Sequence, residues 1–256
     1  MLVAILVALS SCARPGGDDS RQLDTLWDSA LKAGQEGRHD EASRLLDAFV
    51  DVSEREGIFS AEAHHNLAIS EWARKHTANA VYHAVRGAQL SSGPASALRA
   101  LSSLASMEEE MGLQVSASRS LPFALALLLR REWLVVPLAV GLWSLVALGC
   151  ALWLRPPSLE AARWVAGSIA AVSLLTAAAG WVNSALFPLS RIAVVSAPAG
   201  TAPLFRGPSV QEDGRLAELP SGMLVRVGPG DGALVNVIEP VGGWVDPGNL
   251  RRIEAQ

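Results

Sequence analysis

The sequence predicts a multi-domain membrane protein: an all-α head of paired helices, two transmembrane helices and a small all-β barrel. Three observations predict it. Two apolar runs, 133–154 and 164–187, contain no charged residue, and each is long enough to cross a bilayer core as a helix. From Leu23 to about Leu129, apolar residues recur at helical spacing. After Phe187-Pro188 the pattern changes to short alternating runs parted by Gly, Pro and Asp turns.

Half of the 256 residues are hydrophobic, which leaves room for one modest domain on each flank of a hairpin. With a net charge of −4 and an acidic balance over residues 13–120, the chain lacks the basic footprint of a nucleic-acid binder. The two cysteines, Cys12 and Cys150, fall in the opening apolar segment and in the first long run. Neither a disulfide framework nor a cysteine-based zinc site is therefore expected.

Residues 1–20 read as a signal followed by a Pro-Gly-rich leader. The opening apolar run ends in Leu9-Ser10-Ser11-Cys12, which resembles the lipobox of bacterial lipoproteins and implies acylation of Cys12. The basic residues that usually precede such a run are missing. A lipidated anchor, an ordinary cleaved signal and an uncleaved anchor stay open, and all three export the helical segment beyond the leader.

Residues 21–120 form the helical head. In a first block Leu26 and Ala30 lie on the inner face of one helix, and Ala42 opens the next after a turn at 37–41. In a second block Leu67 and Ala68 serve the first helix, Ala80 opens the packed face of the second, and Gly93-Pro94 stops it. Bulk at any of these alanines would push neighbouring helices apart. The blocks are similar to tetratricopeptide repeats. The step from Ala42 to Ala80 is 38 residues, above that family's usual 34, and the excess is expected near 56–59. A third helix, 95 to about 111, would cap the array.

Trp27 and Trp72 fall within predicted helices; core packing is the first expectation and a place in a peptide-binding groove the second. His64 and His65 point in different directions on their helix and are expected to be solvated, as is the run Glu108-Glu109-Glu110. The sequence carries no recognisable catalytic set, metal-ligand spacing or phosphate-cradling loop, so a protein without cofactor and without enzymatic activity is expected.

The apolar stretch 121–129 is too short to span a bilayer, so residues 121–132 are expected to lie at the membrane interface with Arg130 and Arg131 among headgroups. Residues 133–187 form a hairpin whose tryptophans, Trp133, Trp153, Trp164 and Trp181, suit headgroup levels. The link 155–163 is too short to fold, so the head and the C-terminal domain must share one side. Arginine counts alone would put that side in the cytoplasm, whereas the N-terminal signal puts it in the periplasm. The reading adopts the signal: a two-span protein of the bacterial inner membrane.

Residues 190–256 are expected to form the barrel, with strands at 192–195, 202–205, 224–227, 234–237 and 243–245. Leu224, Val225, Val227 and Trp244 are its candidate core. The stretch resembles a bacterial SH3-type domain, although Leu234 stands where that family usually has tryptophan. The aromatic trough needed for polyproline docking is missing.

The whole order of parts resembles the BatE-type proteins of bacterial aerotolerance operons. That resemblance is carried most specifically by His65-Asn66-Leu67-Ala68 through Gly93-Pro94 and by Ile192-Ala193-Val194-Val195 through Ile253. It implies a scaffold at the cell envelope beside von Willebrand factor A-type membrane proteins, in a complex tied to oxidative stress tolerance. The competing expectation is a wall-binding or wall-sensing module in which the barrel takes peptidoglycan.

Overall fold

The computed structural model describes residues 18–91, 93–114, 116–128, 134–154, 160–208, 214–228 and 233–253. Cys12, Arg130, Arg131, Trp133 and Arg155 lie outside them. The described residues form eight α-helices and seven β-strands.

In the head, α1 (Asp18–Gln35) is followed by its antiparallel neighbour α2 (His39–Arg55), and α3 (Ala61–Ala73) by α4 (Thr77–Leu90); α5 (Pro94–Glu110) closes the series. Ala30, Ala42, Leu67, Ala68 and Ala80 are all buried between helices. Leu26 departs from expectation. It is only half-buried, and Leu23, one turn earlier, takes the core position.

Each first helix ends the same way. Gly37, Lys75 and Gly112 adopt positive φ, and the amides around them turn back onto helix carbonyls: Arg38 to Ala33, His76 to Glu71, Leu113 to Glu108. This is the 6→1 closure that needs a left-handed residue just past the helix end. The spacing of these three residues marks a structural repeat independently of the alanines. Lys75 takes this conformation at a cost that glycine would avoid. The extra repeat length is shared between α2, 17 residues against 14 in α4, and the 56–60 connection. Ser60 in that connection caps α3 by accepting the Ala63 amide at 3.1 Å.

Of the segment expected at the membrane interface, residues 121–128 are described, and they do not lie free on a surface. Leu121–Leu128 is a helix, α6, and its Phe123, Ala126 and Leu127 are buried in protein, whereas Leu121 is exposed. An eight-residue apolar helix has two useful faces, and tertiary packing claims one of them.

The chain continues as α7 (Val135–Leu154) and α8 (Glu160–Leu186), packed against one another. Both are long and apolar enough to cross a membrane. Their approach is close at Gly141, where an added Cβ would sit 3.0 Å from Leu174 Cγ. Ala170, Ala177 and Gly180 are the buried residues of α8. Helix α8 begins earlier than expected and takes in Arg163, whose guanidinium donates to the Ala151 carbonyl at 2.9 and 3.1 Å. A cation there satisfies an orphan carbonyl of the last turn of α7 and complements its dipole.

The C-terminal strands are β1 (Ile192–Val195), β2 (Thr201–Phe205), β3 (Arg215–Pro220), β4 (Leu224–Val227), β5 (Val235–Glu239), β6 (Gly243–Val245) and β7 (Leu250–Arg252). They form one antiparallel sheet in the order β3-β2-β6-β5-β4-β1-β7. Leu219 of β3 and Leu250 of β7, from opposite ends of that order, pack on one core, so the sheet is curled. Val225 and Val227 are buried inside the sheet as expected, whereas Leu224 is buried on the opposite face, against the head, and Trp244 is half-buried. Strands β3 and β7 were not among those expected. They are the two edges, and β3 is mostly exposed and ends in proline, so it lacks the apolar alternation of a core-facing strand.

Strand β1 is buried at every position because it serves two cores. Ala193 and Val195 face the interior of the sheet, and Ile192 and Val194 face the head. The head-side core joins Val81, Leu104, Phe123 and Leu127 to Phe187 and Leu224 without a break. Polar contacts reinforce it: Arg251 donates to Asn79 at 2.9 Å and lies 3.6 Å over the Tyr82 ring. The tight turn at Gly222 rests on Met111 and Thr77. Head and sheet, read from sequence as separate domains, are one packed body.

Candidate functional site

Two grooves open along the first helices of successive pairs, and α3 borders both. One, about 250 Å³, lies between α1 and α3 and includes Leu31, Gln35, Asn66 and the exposed Ile69. The other, about 440 Å³, is bounded by α3, α4 and α5, and brings Glu62, His65 and Arg99 around a floor formed by Gly87 and Ala100. Ile69 is 47% exposed. The grooved face therefore offers an exposed apolar contact at Ile69 and charges of both signs at Glu62 and Arg99. Trp27 is half-buried against Phe49, with ring centroids 5.2 Å apart. Trp72 packs on the head core and donates its indole N–H to Glu110 at 3.2 Å. Both tryptophans do the packing that was the first expectation.

What holds the grooved helices together is polar as well as apolar. Glu71 and Glu108 occupy the same position in successive repeats, each supplying the carbonyl that closes the end of its helix, and both are buried. The Glu71 carboxylate accepts hydrogen bonds from Ser43 of α2, from Arg74, from His76 at 3.0 Å and from Asn79 of α4 at 3.1 Å. Burial pushes its pKa up, but the hydrogen bonds from Ser43, Asn79, Arg74 and His76 outweigh that and hold it down at about 2. Glu108, expected in solvent, instead accepts from Ser116 at 2.7 Å and from Ser118, and so ties the 116–119 turn to α5. Its neighbours Glu109 and Glu110 are exposed as expected.

His64 also departs from expectation. It is buried, and its Nδ1 lies 3.0 Å from Nδ1 of His83 on α4. The His64 Nε2 is 3.5 Å from a Glu54 carboxylate oxygen. A neutral pair satisfies this geometry when His64 carries its proton on Nε2 and His83 donates from Nδ1. Desolvation, with help from Arg86 and Arg251, lowers the His64 pKa to about 4. Desolvation, then His64 and Arg251, lowers that of His83 to about 3.

The unfolded chain takes up these two protons near pH 6.5, the folded head only near 3 to 4. Stability is thus complete above pH 6.5 and declines as the pH falls toward 4, by on the order of a few kcal/mol. Thermal unfolding monitored by circular dichroism should show a midpoint that is constant from pH 7 to 8 and drops steadily below 6.5. His83→Gln should flatten that drop, and a wild-type midpoint unchanged between pH 7 and 4 would refute the account.

No family model, curated protein or solved structure matches the chain. The functional reading therefore rests on geometry. Among the described residues, no group of three or more His, Cys, Asp and Glu side chains is placed to hold a metal ion. Sequence reasoning placed the small packing residues correctly but missed the buried polar set. The one signal available was the 37-residue step between Glu71 and Glu108, close to the repeat length.

Proposed function

We propose that the chain is a non-enzymatic, membrane-anchored scaffold of the BatE type, whose helical head grips a protein partner at the bacterial envelope. The observation that carries this is the grooved face along α1, α3 and α5, where Ile69 stays exposed although the core behind it is closed. An apolar contact at Ile69 followed along the face by Glu62, His65 and Arg99 suits a peptide segment with both apolar and charged side chains. The left-handed ends of the first helices at Gly37, Lys75 and Gly112 and the buried alanines support reading the head as tetratricopeptide-like. The curled sheet supports reading the C-terminal part as SH3-like. Helices α7 and α8 would hold both in the inner membrane, with the head and sheet in the periplasm, and membrane proteins with von Willebrand factor A-type domains are the expected partners.

A photo-crosslinking amino acid placed at Ile69 or Arg99 in living cells tests this against a control position, Ile238, on the sheet. Adducts with exported domains of membrane proteins are expected from the head positions. Adducts formed only from Ile238, or capture of peptidoglycan fragments there, would move the binding role to the sheet. Adducts with cytoplasmic proteins alone would reverse the side of the membrane.

A further inference from the structure

On the reading of α7 and α8 as membrane spans, we propose that the head is seated on the bilayer surface, with α6 as part of the lipid contact and Leu121 inserted at the top of the acyl chains. The placement comes from distances along α8. Trp164, an interfacial type of residue, lies at the link end, and Trp181 is 17 residues farther along, about 26 Å up the helix axis. A hydrocarbon layer of about 30 Å would end some three residues beyond it, near Ser184. At that level Asn183 donates to the Pro122 carbonyl at 3.1 Å, so the first turn of α6 stands at the boundary.

The side chains agree with that level. Leu121 is 71% exposed, Leu186 70% and Trp181 62%, and together they extend the apolar surface of the hairpin onto the underside of the head. Immediately beyond, the surface becomes charged. Arg226 lies 4.9 Å over the Phe187 ring and pairs with Glu239, and Arg191 is exposed. The apolar surface therefore stops where headgroups would begin.

The seat is also rigid. Phe123 and Leu127 of α6 are locked into the core that contains Phe187, so the head cannot swing about the hairpin as it would on a flexible tether. Its grooves therefore keep a fixed orientation to the membrane plane.

The test is site-directed spin labelling of the full chain in phospholipid nanodiscs, in a Cys12→Ala, Cys150→Ala background. Single cysteines would be placed at Leu121, at Leu175 on α8 and at Ser102 on the exposed side of α5. Accessibility to molecular oxygen and to a water-soluble nickel complex is then compared. The proposal expects the label at 121 to be severalfold less accessible to nickel than that at 102, and to favour oxygen as the label at 175 does. A label at 121 as open to nickel as that at 102, with 175 in lipid, would overturn the seated head while leaving the spans intact. A label at 175 that is itself open to nickel would overturn the spans and the seat together.

Discussion

Glu71→Ala should lower the unfolding free energy of the head by about 3–5 kcal/mol, the usual cost of removing one partner from a buried charged network. The carboxylate joins three helices, through Ser43 on α2, its own position on α3 and Asn79 on α4, and it also holds Arg74 and His76 in the turn between. Its loss leaves the buried Ser43 hydroxyl with one partner fewer and Asn79 without its carboxylate acceptor. A domain of ordinary stability has about 5–15 kcal/mol in total, so such a loss takes it near the edge of folding. The comparison is Glu41→Ala, whose pairing with Arg38 is exposed and should cost less than about 1 kcal/mol. Denaturant titration of the detergent-solubilised protein measures both. Equal, small effects of the two substitutions would show that the buried network contributes no more than a surface pair.

Phe123→Ala should cost about 3–5 kcal/mol, the range for emptying a buried aromatic site. Its more telling effect should be on where stability is lost. Phe123 is fully buried in a core to which α4, α5, α6, Phe187 just past α8, β1 and β4 all contribute. Hydrogen exchange should therefore speed up together in α4 and in β1, elements far apart in sequence that share that one core. Faster exchange confined to α6 and its sequence neighbours would show that head and sheet fold separately. For the same reason, deleting residues 190–256 is not a neutral way to isolate the head. The deletion strips Ile192, Val194, Leu224 and Ile253 from the helical core.

For the candidate binding face, the sequence placed the helices and their small contact residues, and so the existence of a grooved array was legible. Which residues stand exposed on it was not. Ile69 reads as an ordinary member of an apolar helical pattern, and only the packing leaves it outside the core. The reverse holds for His64 and Glu108. Each looked like a surface residue by type and neighbourhood, and each is buried because a partner from another element meets it: His83 for one, Ser116 and Ser118 for the other.

By itself, the sequence determined the properties that depend on neighbours a few residues away. These are the helical period of the head, the length and apolarity of α7 and α8, the burial of Ala30, Ala42, Ala68 and Ala80, and the five interior strands. Tertiary structure alone decided what depends on contacts between distant segments. The Glu71–Ser43 bond spans 28 residues and the Arg251–Asn79 bond spans 172. Strand β3 exists because β2 offers it a pairing edge, and α6 turns one face inward because Phe187 and Leu104 wait there. Local periodicity records which face of an element is apolar. It carries no information about which distant group will desolvate a charge and satisfy it, and in this protein contacts of that distant kind are what join the head and the sheet into one body.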